Sequence, residues 1–152
     1  MIDTSEYVLG EQAFLKGLSP AHLMAIAECA HPVTFASGEY VFHEGDPANH
    51  FYILTYGQVS LELYVPGRGS HVIQTVEKDE VLGWSWLFPP YRWHFDGRAL
   101  TVVRAIDFNG MCLRAKCDAD HDLGYDLMQR FAQTMMSRLQ ATRLQLLDVY
   151  GG

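Results

Sequence analysis

The amino-acid sequence predicts an α+β fold, an antiparallel β jelly-roll barrel with N-terminal helices before it and a long C-terminal helix after it. Three observations lead there. The chain has 152 residues, the length of one ordinary domain. Its middle is a series of short apolar alternations set off by Gly, Pro, Asp and Asn, the grammar of antiparallel strands rather than of a parallel sheet with crossover helices. Its two ends carry apolar residues at intervals of three and four. The expected division of this single domain is residues 1–31 for the N-terminal helices, 32–107 for the barrel and 110–150 for the C-terminal helices.

Ser19-Pro20 opens a helix, because serine accepts a bond from an orphan backbone N–H and proline suits the first helical position. The helix is expected over Pro20 to Ala30, stopped by His31-Pro32, with a short helix around Phe14-Leu15 before it. Strands are expected at Val33–Phe35, Tyr40–Phe42, Phe51–Leu54, Val59–Val65 and His71–Val76, with Leu100 to Ile106 closing the set. After Asn109-Gly110 a short helix covers Met111 to Cys117, and Asp120 caps a long helix ending near Tyr150. Met128, Phe131, Met135, Leu139, Thr142 and Leu146 form an a/d-like stripe on it. That stripe either packs on the chain's own barrel or forms a homodimer seam.

Composition narrows the function classes. With 49% hydrophobic residues the chain can bury a core without staples. A net charge of -7 is the wrong sign for a surface that must neutralise phosphates, and the eleven Lys and Arg are scattered. Cys29, Cys112 and Cys117 make an odd set without C-x-x-C spacing and read as reduced thiols. No apolar run spans a bilayer and Met1 to Lys16 lacks signal-peptide character, so the expectation is a cytoplasmic protein with no membrane contact.

The segment Gly38-Glu39-Tyr40-Val41-Phe42-His43-Glu44-Gly45-Asp46-Pro47-Ala48-Asn49-His50-Phe51-Tyr52-Ile53-Leu54-Thr55-Tyr56-Gly57-Gln58-Val59 resembles the signature of the cyclic-nucleotide-binding domain family. Its chemistry agrees with that likeness: Gly45 and Gly57 fall where tight turns need positive φ, and the flanking residues alternate as half-buried strands do. Phe14-Leu15-Lys16-Gly17-Leu18-Ser19 is similar to the family's entry motif, and the likeness covers roughly residues 13–148.

The resemblance implies a ligand site in a phosphate-binding cassette, where a Gly-Glu pair opens a short helix and an Arg precedes the next strand. Helix N–H groups and the Arg hold the cyclic phosphate, and the Glu takes the ribose hydroxyl. The matching stretch runs from Asp79 to Val102. Gly83 stands where the family has Gly, Ser85 is a helix N-terminal residue, and Arg98-Ala99-Leu100-Thr101-Val102 is similar to the family's Arg-x-Ala-Thr-Val ending. The ligand-binding set implied is Gly83, Trp84, Ser85, Arg98, Ala99 and Thr101. Trp84 departs from the family, offering one indole donor and an apolar face in place of a carboxylate. The interval to Arg98 is also long, broken by Pro89-Pro90 and dense with Trp84, Trp86, Phe88, Tyr91, Trp93 and Phe95. These aromatics either plug the pocket or stack on a base while Arg98 and Arg92 hold phosphates.

Other chemistry finds little support. His43, His50, His71 and His94 read as turn, rim or strand residues, since the H-x-H pair of a cupin metal site is missing. Nothing singles out a haem ligand, and no nucleophile with a base stands in a defined context; Gly83-Trp84-Ser85-Trp86 lacks the G-x-S-x-G ending. Regulators resembling this domain carry a helix-turn-helix after the long helix, and the chain ends at Gly152, so direct DNA binding is not expected. The leading reading is a non-catalytic regulatory module whose ligand is a cyclic nucleotide or another nucleotide, with a protein partner or homodimer through the last helix. The alternatives are an accessory dinucleotide-binding subunit of a redox complex and a ligand-free interaction scaffold.

Overall fold

The structure is a computed structural model and describes residues 9–151. A 3-10 turn, Ala13–Leu15, leads to helix α1, Pro20–Ala27. The strands are β1 (Ala30–Phe35), β2 (Tyr40–Phe42), β3 (His50–Tyr56), β4 (Val59–Val65), β5 (Gly69–Val76), β6 (Val81–Leu82), β7 (Asp96–Ala99) and β8 (Val103–Asn109). Between β6 and β7 stands a 3-10 turn, Ser85–Leu87, and after β8 come α2 (Gly110–Ala119) and α3 (His121–Gly151). Two antiparallel sheets result, in the orders β1-β8-β3-β6 and β2-β7-β4-β5, so the expected jelly roll is present.

Strand alternation divides the apolar residues between two cores. Phe42, Tyr52, Leu54, Val59, Leu61, Val76, Ala99, Val103 and Ala105 meet between the sheets. Phe51, Ile53, Ile106 and Phe108 point from the opposite face of the first sheet into a second core with Leu15, Ile26, Leu113, Leu123, Leu127 and Phe131. The run Phe51-Tyr52-Ile53-Leu54 is continuous because β3 is buried on both faces. Among the described residues, no helix is long and apolar enough to cross a membrane.

The helix starts follow their caps. The Ser19 side chain accepts from the His22 N–H at 3.2 Å, and Asp120 Oδ1 accepts from the Asp122 and Leu123 N–H groups at 3.1 and 3.3 Å. Three expectations are corrected. Helix α1 ends at Ala27, not Ala30, because Ala30 already pairs with Phe108 and Pro32 with Ile106. As an edge strand, β1 tolerates a proline without N–H. The strand expected over Leu100 to Ile106 begins only at Val103, because Leu100–Val102 carry the chain from β7 in one sheet to β8 in the other. The cysteines are not all thiols: Cys29 is joined to Cys112, while Cys117 is free. Pairing of β1 with β8 brings the segment after α1 beside the start of α2, where the Asn109 N–H donates to the Cys29 carbonyl at 2.9 Å.

The helical stripe is also divided. Phe131 is wholly buried and Met135 packs on the same core, following Leu123 and Leu127 along one seam. Met128, Leu139 and Leu146 are exposed. From Leu139 to Val149 every residue of α3 is exposed, so this part of the helix stands clear of the sandwich.

Candidate functional site

The cassette begins where β6 ends. Gly83 has φ +96°, and a Cβ there would fall 2.5 and 2.7 Å from two ring atoms of Trp93. Glycine is therefore required twice, for the left-handed backbone and for the indole lying on it. Trp93 stacks on Phe42 with ring centroids 3.7 Å apart and planes 8° from parallel, and it belongs to the core between the sheets. The long interval before Arg98 explains how it gets there. Its Tyr91–Trp93 portion runs as a strap along the Gly45–Ala48 turn. The Gly45 N–H donates to the Trp93 carbonyl at 2.8 Å, the Trp93 N–H to Asp46 O at 3.0 Å and the Ala48 N–H to Tyr91 O at 2.7 Å. The Arg92 guanidinium donates to the Gly45 carbonyl at 2.9 Å, tying the strap to the turn.

Trp84 packs against the helical core, away from the sandwich interior. The Arg138 guanidinium from α3 lies 4.9 Å from the centre of its ring and donates to the Val81 carbonyl. Burial pushes the Arg138 pKa down, with the Glu80 carboxylate opposing that shift. Ser85 is buried at the start of the 3-10 turn, and Trp86 is wholly buried, stacked on Phe51 at 5.2 Å.

Strand parity separates the remaining members of the expected set. Across β4 and β7, Val59 pairs with Ala99 and Ser60 with Arg98. Val59, Leu61 and Ala99 face the interior, so Arg98, Ser60 and Glu62 share the opposite face of that sheet. There Arg98 makes two contacts of 3.0 Å, from Nε and from its terminal nitrogen, with Glu62 Oε2, and the Ser60 hydroxyl donates to the same oxygen. The Glu62 side chain is 4% exposed, so this pair satisfies a carboxylate taken out of water. Thr101 sits beside Gly57, accepting from the Gln58 N–H at 3.2 Å and donating to Val102 O at 2.8 Å. Thus Gly83 and Ala99 reach the interior, Trp84 lies against α3, Arg98 is on the outer face and Thr101 is at a turn.

Sequence reasoning missed two polar clusters. Glu62 carries a signal in hindsight, a Ser-x-Glu alternation opposite an Arg. The other is Asp107, a buried carboxylate on β8 that takes His50 Nδ1 at 2.8 Å and His31 Nε2 at 3.4 Å. The bond to Asp107 raises the His50 pKa, with desolvation opposing and the carboxylate's charge assisting. Burial and the same carboxylate push the Tyr52 phenol well above its ordinary value. Among the described residues, no group of three or more His, Cys, Asp and Glu is arranged to hold a metal.

Residues 32–120 match the family described as the cyclic nucleotide-binding domain, more than half of the chain. The chain belongs to that family. A CRP-like cAMP-activated global transcriptional regulator of Mycobacterium tuberculosis is 24% identical over 142 residues, 93% of this chain, and the match spans 62% of the regulator's length. A solved protein of Geobacter metallireducens, described as cyclic nucleotide-binding, is 29% identical with a TM-score of 0.80, covering 91% of this chain and 99% of its own. A cyclic nucleotide-binding domain of Methylobacillus flagellatus KT has a TM-score of 0.79 at 14% identity, covering 95% and 82%. At that identity the likeness is one of fold.

Proposed function

We propose that this cyclic-nucleotide-binding-family domain is a non-catalytic regulatory module whose atypical cassette closes the nucleotide cradle on its own indole, so that it signals through protein contacts rather than through a bound cyclic nucleotide. The observation that carries this reading is Trp93, held by the strap to the Gly45–Ala48 turn and stacked between Phe42 and Gly83. Two further features support it. Trp84 supplies no ribose acceptor, and the Arg98 guanidinium is engaged by Glu62 on the outer face of its sheet. The test is calorimetry with cAMP, cGMP, NADH and NADPH on the wild type, Trp93→Ala and Arg98→Ala. No saturable heat is expected from the wild type. Tight cAMP binding by the wild type overturns the reading, and binding that falls with Arg98→Ala would return the phosphate role to that residue.

The contact surface is the free part of α3. Leu139, Leu146 and Leu147 are 51%, 52% and 64% exposed, and a second copy packed along them would remove an apolar stripe from water. Sedimentation of the wild type and of Leu139→Asp/Leu146→Asp tests this: a dimer that becomes a monomer is expected, and a wild-type monomer refutes it. Phe131 is unsuited to this test because it belongs to the core.

A further inference from the structure

A cavity of about 370 Å³ opens between α2, α3 and the turn after Gly83, on the helical side of the first sheet. That volume is within the ~300–1,000 Å³ range of small-molecule sites. Its wall is largely aromatic and apolar, formed by Trp86, Tyr91, Tyr125, Leu127 and Met128. One guanidinium belongs to the same wall. Trp86 is wholly buried behind it. Arg114 lies over the Tyr91 ring, 4.2 Å from the centroid, and gives one N–H to the Trp86 carbonyl. Among the described residues its guanidinium enters no ion pair; Asp118, which also lines the mouth and is exposed, is not within salt-bridge distance.

From this arrangement we infer that the cavity binds a small aromatic carboxylate. The Tyr125 ring with Leu87 and Met128 takes the planar body, and the remaining N–H groups of Arg114 take the carboxylate in a forked contact. This site is separate from the sandwich interior and does not depend on whether a nucleotide binds there. Because Trp86 and Leu87 form the turn that follows Gly83, an occupant would press on the cassette from its helical side.

The probe is indole-3-acetate, with neutral indole-3-acetamide as its control, titrated by calorimetry into the wild type, Arg114→Met and Tyr125→Ala. Saturable binding of the acid is expected, with the amide weaker by about tenfold or more, as loss of a charge-assisted contact predicts. Arg114→Met should remove that preference while leaving amide binding unchanged. Tyr125 is exposed, so Tyr125→Ala should fold normally and weaken both ligands. Cys117 lines the cavity and serves as a second readout: saturating acid should slow its alkylation by N-ethylmaleimide. Failure of the wild type to bind the acid saturably, equal binding of acid and amide, or an unchanged preference in Arg114→Met overturns the proposal.

Discussion

The Gly38–Val59 segment and the Gly83–Val102 segment belong to the same sandwich, the first turning on three glycines with positive φ and the second on one, Gly83. In the first, the glycines serve the backbone path and, at Gly57, a close approach of backbone. A Cβ on Gly45 would meet nothing within 4 Å, and one on Gly57 would strike the Val102 carbonyl. In the second, Gly83 also makes room for an indole that fills the space between the sheets. The difference teaches that the same left-handed turn chemistry serves the chain's own path in one segment and admits a core side chain in the other.

Trp93→Ala should break this contrast most severely. It removes the largest ring from the sandwich interior, and large-to-small changes of an aromatic core residue cost about 3–5 kcal/mol. Urea unfolding should show a loss in that range, and retention of wild-type stability would mean the indole is not a core element. Next come the two glycines compared directly. Gly83→Ala combines left-handed strain with a collision and should cost about 2–4 kcal/mol, whereas Gly45→Ala carries the strain alone and should cost about 1 kcal/mol. Equal losses would show that Gly83 serves the backbone only.

Arg98→Ala ranks third. It strands the Glu62 carboxylate, but the Arg98 side chain is 41% exposed and water can replace part of the contact, so about 1–2 kcal/mol is expected rather than the ~3–5 of a fully buried pair. Adding Glu62→Gln to that variant should recover part of the loss. The smallest effect concerns pH. His50 has a folded pKa raised above 6.5, so its bond to Asp107 stabilises fully below the unfolded value and ceases to do so as pH rises through the folded value. His50→Gln should therefore cost under ~1 kcal/mol in acid and nothing above that window, since the His50 side chain is 39% exposed and His31 also faces the carboxylate. A loss that persists unchanged at high pH would point to packing instead.

What the sequence disclosed follows range of interaction. Ser19 and Asp120 announced their helices because a cap acts within three residues, and Gly45 and Gly57 announced their turns for the same reason. The jelly roll followed from strand grammar. The cassette was harder to read because its outcome depends on parity: a shift of one position moves a side chain to the other face, and Ala99 rather than Arg98 faces inward. Trp93 could be counted as an aromatic but not aimed, since its direction comes from a strap bonded to residues 45–48. Phe131 and Leu139 share one helical stripe, and only packing decides that the first is core and the second is bare.

The bond between Cys29 and Cys112 spans 83 positions of sequence and so encircles all eight strands. The sandwich is thereby a covalent ring from which the helical ends emerge as tails. In the denatured chain this ring removes loop freedom worth on the order of 4 kcal/mol, so oxidised and reduced protein can share one folded shape yet differ in how readily they lose it. A protease cut in the Pro66–Arg68 turn would leave two polypeptides travelling as one mass in a denaturing gel, separable only after a reductant opens the ring.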